Sequence, residues 1–311
     1  MFFAGDVLMD KEILDKYIEA GRIAAEIRES SKALIKIDAR ILDIAEKIEK
    51  MIKDKGAEPA FPVNISLNEI AAHYTPMKND ETKIKKGDVA KIDIGVHIDG
   101  YVGDTAYTLS FNEKYNKLVE ASEAALAEAI KLCKPDTKLS DVSAKIEETL
   151  NSLGYKPISN LTGHGLDCYD LHAEPQIPNI KFSSNYKLKE DQVIAIEPFA
   201  TDGSGMIKES EPTLIFRLLG KGPVRNQDAR AIMTFADKFT QIDADGVIRS
   251  LPFAERWIPI DSLVKIRIAL RELRERGIIY DYPVLKEVKN GVISQAEHTV
   301  IVKDEPIVTT K

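Results

Sequence analysis

The stretch KIDIGVHIDGYVGDT, residues 91–105, combines strand-forming residues with two carboxylates that an ordinary strand does not carry. Asp99-Gly100 at its centre predicts a two-residue hairpin turn, because both central residues of a type I′ turn need positive φ, which Asp and Gly tolerate. The flanking residues then form two antiparallel strands. Asp93 lies in the first predicted strand and Asp104 in the second, so the hairpin carries a pair of like charges.

The register of this hairpin follows from the turn by counting along both strands. When the residues next to the turn pair, the two aspartates become diagonal neighbours on one face of the sheet. Small side chains opposite the aspartates leave room for an ion. The predicted pairs are Ile98 with Tyr101, Gly95 with Asp104, and Asp93 with Ala106.

Two carboxylates this close indicate a metal site, because they repel each other unless a cation neutralises them. Taken alone, the hairpin leaves open a pair of solvated surface aspartates. Ionisable residues recur in apolar strands downstream, and several unpaired buried carboxylates would be costly, which favours divalent cations. Oxygen ligands with one imidazole suit Mn, Fe, Co or Zn without choosing among them. The further candidates are His164, His172, Glu197 and Glu297.

The composition is that of a soluble globular protein, with 311 residues, 44% hydrophobic and 30% charged. A formal net charge of -7 lacks the basic excess that nucleic acids or anionic membranes attract. The opening residues have no basic start before a long apolar run, so we expect no secretory signal, and no stretch approaches membrane-spanning length. The two cysteines, Cys133 and Cys168, do not form a CxxC motif. We therefore predict free thiols in a reducing cytosol.

The chain contains an internal repeat. DARILDIAEKIEKMIKDKGAEP, residues 38–59, aligns without gaps to DTKLSDVSAKIEETLNSLGYKP, residues 136–157. Each copy precedes a Lys-rich turn and an apolar strand that ends in a carboxylate, in residues 85–93 and, with a one-residue gap, in residues 187–197. Two related helix-plus-strand halves around a pseudo-two-fold axis would form a layered α+β fold. The alternative is chance similarity between amphipathic helices, and the gapless register favours duplication.

The remaining pattern predicts helices and a separate insert. Apolar residues at spacings of three and four predict two helices within residues 10–55, the second beginning at Asp38. Residues 222–282 change to a mostly helical segment with nearly balanced charges, which does not support nucleic-acid binding. We therefore predict one domain from residues 1–221 and 283–311, interrupted by this insert.

These residues and their contexts resemble the archaeal-like type II methionine aminopeptidases over nearly the whole chain. The motifs that carry the resemblance are AFPVNISLNEIAAHYTP, IDIGVHIDGYVGDTA, GHG followed by LHA, IEPFATDGSG, and SQAEHTV. The resemblance implies a pita-bread catalytic domain with pseudo-two-fold halves, which agrees with the repeat, and a winged-helix-like helical insert. One departure is visible, because Glu174-Pro175 follows the second histidine motif where the family usually has Gly. The loop geometry beyond His172 is therefore open.

The resemblance also implies roles for the metal ligands. Asp93 would chelate one of two divalent ions, Asp104 and Glu297 would bridge both, and His164 with Glu197 would complete the other. A metal-bound water or hydroxide would be the nucleophile, and Glu197 would shuttle its proton.

The same resemblance assigns substrate contacts outside the ligand set. His73 and His172 would contact the scissile amide and its carbonyl, and Phe61 would line the methionine side-chain pocket. Other ionisable or thiol side chains have no place in this set, and we expect structural roles for them: His97, His298 and Cys168.

The implied function is a cytoplasmic aminopeptidase that removes the initiator methionine from nascent polypeptides and prefers a small second residue. Its expected partners are nascent chains with N-terminal methionine and the ribosome, without a membrane or specific nucleic acid, and we expect a monomer. One alternative is an Xaa-Pro aminopeptidase or prolidase, against which the insert and the AFPVNIS context argue. Another is a noncatalytic pita-bread binding module, against which the complete ligand set argues.

Overall fold

The computed structural model describes residues 9–243 and 246–311. The opening residues 1–8, where no secretory signal is predicted, lie outside the described residues. The helices are α1 Lys11–Ser31, α2 Ile41–Asp54, α3 Asn116–Ile130, α4 Leu139–Ser152, α5 Gln227–Ala236 and α6 Leu263–Glu275. Every helix in the described part of the chain is too short or too polar to cross a membrane.

The strands form one large sheet and three smaller ones. In the first half of the chain they are β1 Glu58–Pro59, β2 Asn64–Leu67, β3 Ile70–Ala72, β4 Val89–Ile98, β5 Tyr101–Ser110, β6 Lys156–Pro157, β7 Thr162–Asp167 and β8 Asp170–Pro178. They continue as β9 Val193–Ile196, β10 Phe199–Thr201, β11 Ile207–Leu218, β12 Thr240–Ile242, β13 Ile248–Ser250, β14 Phe253–Ala254, β15 Ile279–Glu287, β16 Ile293–Gln295, β17 Glu297–Ile301 and β18 Ile307–Val308.

The large sheet has nine strands and contains the predicted hairpin. Its order is β1-β4-β5-β17-β9-β7-β8, with β2 beside β4 and β18 beside β17. The hairpin is the β4–β5 pair, in which Asp93 lies opposite Ala106 and Gly95 opposite Asp104. Both turn residues have positive φ. The predicted register is therefore confirmed.

The two copies of the repeat fold alike. Helices α2 and α4 are both 14 residues long and occupy the same positions in the aligned segments. Their spacing of three and four gives each helix one buried face. The shared pattern supports duplication over chance similarity. The matched buried positions are Ile41 with Leu139, Ile44 with Val142, Ala45 with Ser143, Ile48 with Ile146, and Ile52 with Leu150.

The second helix begins later than predicted. Helix α2 starts at Ile41 instead of Asp38, because Asp38 has a φ of 68°, outside the right-handed helical region. The aligned Asp136 has a φ of 64° and precedes α4 in the same way. Asp38 donates its N–H to the carbonyl of Ile84, and Asp136 donates to that of Leu188. Each aspartate therefore forms the same turn in its own half.

Each half has an apolar core between its helices and the large sheet. Ile92 and Ile94 of β4 pack into the core of α1 and α2, and Ile194 and Ile196 of β9 pack into the core of α3 and α4. Side chains alternate along a strand, so Asp93 between the two β4 isoleucines faces the other side of the sheet. The helices thus cover one face, and the carboxylates collect on the opposite face.

Residues 222–282 contain α5, α6, the short strands β12 to β14 and the start of β15. They have an apolar cluster of their own, which includes Ile232, Phe253 and Leu273. Strand β15 pairs with β11 and β3, and β14 pairs with β11. The segment therefore combines helices with short strands, and its separation as an insert domain stays a prediction.

A buried ion pair joins this segment to the first half. Arg256 Nη2 contacts Glu49 Oε1, and Trp257 Nε1 donates to Glu49 Oε2 at 2.9 Å. The side chains of Arg256 and Glu49 are only 3% and 10% exposed. Arg256 Nη1 also donates to Thr75 Oγ1 at 2.6 Å, two residues beyond His73. The ion pair therefore holds α2 against the loop that carries His73.

Candidate metal centre

The five predicted ligands come from neighbouring strands of the large sheet. The strand order places β4, β5, β17, β9 and β7 side by side. Four of the ligands lie within these strands, and the fifth follows β9 directly. They are Asp93 in β4, Asp104 in β5, Glu297 in β17, Glu197 after β9 and His164 in β7. The sheet therefore brings together residues that are far apart in the chain.

Three of these side chains form a compact buried group. Ligand atoms of Asp104, His164 and Glu297 all lie within 4.8 Å of one another. His164 Nε2 is 3.9 Å from Asp104 Oδ2 and 3.7 Å from Glu197 Oε1. Asp93 lines the same cavity. The predicted set is thus gathered around one space.

The tautomer of His164 directs a lone pair into this group. His164 Nδ1 lies 3.2 Å from the carbonyl oxygen of Gly165. A carbonyl only accepts hydrogen bonds, so we assign the proton to Nδ1. Burial lowers the pKa of His164 to about 4, which keeps the ring neutral at pH 7. Its Nε2 is then an unprotonated nitrogen that faces carboxylate oxygens.

The negative charges of the buried carboxylates repel one another unless a cation lies between them. Burial raises the pKa of Asp93 to about 7. Burial, followed by the charges of Asp93 and Glu197, raises the pKa of Asp104 well above its usual value. The pKa of Glu297 is raised by burial and then by Asp104, Glu197 and Asp93. Each carboxylate therefore resists ionisation in the company of the others.

The donor set fits a divalent cation. Asp93 Oδ1 and Asp104 Oδ1 are buried and have no hydrogen-bond partner among residues 9–243 and 246–311. These two oxygens and the His164 nitrogen are all hydrogen-bond acceptors that face one another. Such an arrangement is favourable only around a positive charge. Carboxylate oxygens with one imidazole are ordinary ligands of divalent transition metals.

The walls of the cavity contain the predicted substrate contacts. Phe61, His73 and His172 all line it. Phe61 packs over Gly95, where a Cβ would come within 2.2 Å of the phenyl ring, so the ring position depends on that glycine. His172 is exposed, and its ring centroid lies 4.7 Å from that of His164. The Glu174-Pro175 departure therefore leaves His172 in the cavity, within the continuous strand β8.

His73 is oriented by the backbone. It has a φ of 63°, and its Nδ1 lies 3.2 Å from the carbonyl oxygen of Pro283. The carbonyl can only accept, so Nδ1 carries the proton and Nε2 is an acceptor. Burial lowers the pKa of His73 to about 4, so the ring is neutral at pH 7.

Sequence reasoning missed several residues in and around the cavity. Gln295 Nε2 lies 3.3 Å from Glu197 Oε2 and 3.4 Å from Glu297 Oε2, so it donates to both carboxylates. It is the last residue of β16, two positions before Glu297 at the start of β17, and an uncharged amide there did not stand out in the sequence. Asn64 and Tyr282 line the cavity itself. Tyr282 is the last residue of the helical segment, where no local pattern pointed to the site.

The remaining candidates do not line this cavity. His97 Nδ1 accepts the N–H of Gly100 at 3.1 Å, and His298 Nδ1 lies 2.8 Å from Thr310 Oγ1. Cys133 and Cys168 are free thiols, as predicted. The contacts of both histidines are compatible with the structural roles expected for them.

Comparison with known proteins shows which class of protein this chain belongs to. Residues 15–232 match the model of metallopeptidase family M24, and the chain belongs to that family. A methionine aminopeptidase of Pyrococcus abyssi is 46% identical over 301 residues, which are 96% of this chain and 99% of that protein. Within the M24 family the chain is thus a member of the methionine aminopeptidases.

Solved structures share the fold at low sequence identity. The methionine aminopeptidase of Thermotoga maritima has a TM-score of 0.69 and 22% identity, and the match covers 98% of both chains. A thermophilic Arx1 has a TM-score of 0.80 and 18% identity, with 97% of this chain and 91% of that chain covered. These likenesses confirm the predicted pita-bread α+β fold. The family match and the Pyrococcus abyssi relative confirm the prediction of a metal-dependent aminopeptidase.

Proposed function

We propose that this chain removes the initiator methionine from nascent polypeptides that have a small second residue. The observation that carries the proposal is the cavity in which four carboxylates and His164 face Phe61, His73 and His172. A cavity with metal-binding carboxylates on one side and aromatic rings on another suits a substrate that begins with an amino group and an apolar side chain.

Two divalent ions would be held by the predicted ligands. Asp93 would bind one ion, and His164 with Glu197 would bind the other. Asp104 and Glu297 would each bind both ions. Divalent ions in such a site polarise a carbonyl group and lower the pKa of water. The identity of the ions stays open among Mn, Fe, Co and Zn, because this ligand set accepts each of them.

Glu197 is the proposed proton carrier. Its Oε2 accepts from Gln295 Nε2, while its Oε1 faces His164. Burial and the charge of Asp93 raise the pKa of Glu197 well above its usual value, so its carboxyl group tolerates a proton in this cavity. It would take a proton from the attacking water and return it to the leaving amine.

The two histidines would hold the scissile amide. With its Nδ1 proton donated to Pro283 O, His73 presents Nε2 as an acceptor for the amide N–H. His172 stands at the exposed side of the cavity, where it would contact the scissile carbonyl. Phe61 would contact the methionine side chain, and the enclosed space beyond would limit the second residue to small side chains.

The biological setting belongs to the same proposal. The chain would act in the cytoplasm as a monomer, on polypeptides that emerge from the ribosome. Its net charge of -7 gives no general attraction to RNA, so transient contact with the emerging peptide would bring substrate to the site.

The test is hydrolysis of Met-Ala-Ser, Met-Pro-Ala and Ala-Pro-Ala by chelator-stripped protein, with Mn, Co, Fe or Zn restored in turn. We expect methionine release from the Met peptides only after metal addition. Cleavage confined to Ala-Pro-Ala would instead identify a proline-specific enzyme. No turnover with any of the metals would favour the noncatalytic binding module.

A further inference from the structure

Asn64 is a buried polar residue of the cavity that has no place in the ligand set. It begins β2, lies opposite Asp93 in the register with β4, and is 4% exposed. Directly opposed side chains on antiparallel strands point to the same face. The Asn64 side chain therefore lines the cavity beside the Asp93 carboxylate.

The orientation of the Asn64 amide is determined by its neighbour. Its Nδ2 donates to the carbonyl of Pro62 at 3.0 Å, which assigns nitrogen to that side and oxygen to the other. The Oδ1 atom is buried and has no hydrogen-bond partner among the described residues. A buried acceptor without a donor is unfavourable, so this oxygen is suited to a donor that enters the cavity.

The surroundings of this oxygen select the donor. Asp93 lies on one side of Asn64 in the sheet, and Phe61 lines the same cavity three residues earlier in the chain. An N-terminal methionine carries an amino group, which is a hydrogen-bond donor, and an apolar side chain on the same carbon atom. The acceptor beside the carboxylates suits the amino group, while the phenyl ring suits the side chain.

We propose that Asn64 Oδ1 accepts a hydrogen bond from the α-amino group of the substrate. Asn64 is then a substrate-binding residue that selects a free amino terminus. The inference rests on the proposed function, since it specifies how that cavity recognises the end of a peptide.

The experiment measures selectivity for the amino group by calorimetric titration of the metal-loaded protein. The two probes are methioninamide and 4-(methylthio)butanamide, which differ only in the α-amino group. We expect Asn64→Leu to weaken methioninamide binding by roughly tenfold to a hundredfold, because the buried amine N–H would lose its acceptor, and to leave the other probe unchanged. Metal content is measured on every variant.

Two further variants separate the acceptor from the fold. Asn64→Asp keeps an acceptor oxygen but loses the donation to Pro62, so it should retain the preference for methioninamide. Ser66→Ala is the matched control, because Ser66 is buried on the same strand but does not line the cavity, and its hydroxyl has no partner within residues 9–243 and 246–311. It should bind both probes as the wild type does.

Other outcomes would overturn the inference. Equal weakening of both probes by Asn64→Leu, with or without metal loss, would mean that Asn64 shapes the cavity or the metal site. An unchanged preference, or a wild type that binds neither probe, would also contradict it. Hydrolysis of Met-Ala-Ser is measured separately, so amine selectivity without hydrolysis would refute the proposed function and leave this inference standing.

Discussion

The two copies of the repeat share a scaffold and differ in what they attach to it. Glu49 in α2 and Glu147 in α4 occupy the same position in the alignment. Glu49 is buried against Arg256 of the helical segment, whereas Glu147 accepts the N–H of Lys181 in an exposed hydrogen bond. The helical segment thus attaches through this position to the first half alone. Duplication preserved the residues that build the core and freed the others to diverge.

The strands show the same division. β4 and β9 each follow a Lys-rich turn with an apolar run that leads to a carboxylate, Asp93 or Glu197. Glu197 directly follows β9, but the prediction that Asp93 ends its strand was wrong, because β4 runs on to Ile98. The first strand continues into a tight hairpin that supplies Asp104, whereas the second is followed by Pro198 and pairs with β7, which supplies His164. One scaffold therefore provides unlike ligands on its two sides, which lets a pseudo-symmetric fold build an asymmetric site.

The largest expected effect concerns these two carboxylates, Asp93 and Glu197. Glu197→Gln should lower the rate of methionine release by about a thousandfold, because it removes a proton carrier and a ligand charge. Asp93→Asn should be similarly inactive and should bind less metal. Product release measured by chromatography, with metal content by mass spectrometry, checks both. Full peptidase activity in Glu197→Gln would overturn the mechanism.

The next effect compares the matched glutamates of the two helices. Glu49→Ala should cost about 3–5 kcal/mol in the free energy of unfolding, because it leaves the buried Arg256 charge unpaired. Glu147→Ala should cost less, about 1 kcal/mol, because this half-buried side chain loses a single hydrogen bond, from the Lys181 N–H, and leaves no buried charge unpaired. Denaturant unfolding at pH 7 gives both values. Equal losses would show that the two helices are attached alike.

A smaller effect probes the hairpin tip of the first half. Burial lowers the pKa of His97 to about 4, whereas an unfolded His has a pKa of about 6.5. The unfolded state therefore binds more protons between these values, so stability should fall as the pH drops from 6.5 to 4, by up to about 3 kcal/mol.

The matched variant for this pH effect is His97→Asn, since an amide oxygen can still accept the N–H of Gly100. It should lose less stability than the wild type between pH 7 and pH 4.5 in urea unfolding. Parallel pH dependence in the two proteins would mean that other groups cause the acid sensitivity.

The smallest effect should be equal in the two halves. Asp38→Ala and Asp136→Ala each put alanine at a positive φ, a backbone conformation that aspartate tolerates better. Each change should cost about 1 kcal/mol in the free energy of unfolding. Thermal unfolding of each variant and of the double variant measures this. A large difference between the two positions would contradict the structural equivalence of the turns.

The site could be predicted from the sequence to the extent that its residues stand out locally. Charges within apolar strands revealed Asp93, Asp104 and Glu197, and the Asp99-Gly100 turn gave the register of the hairpin. Gln295 and Asn64 were missed, because an amide in a strand is unremarkable until its neighbours are known. The start of α2 was misplaced by three residues, because Asp38 resembles a helix cap but adopts a φ of 68°.

The sequence by itself determined the repeat, the hairpin and the apolar faces of the helices, since these depend on periodicity and turn chemistry between near neighbours. Tertiary structure alone decided that β17 lies between β5 and β9, which puts Glu297 beside Asp104. It also decided that Arg256 reaches Glu49 and that Asn64 faces the cavity. The physical reason is that these contacts depend on the packing of whole layers, which no local pattern specifies.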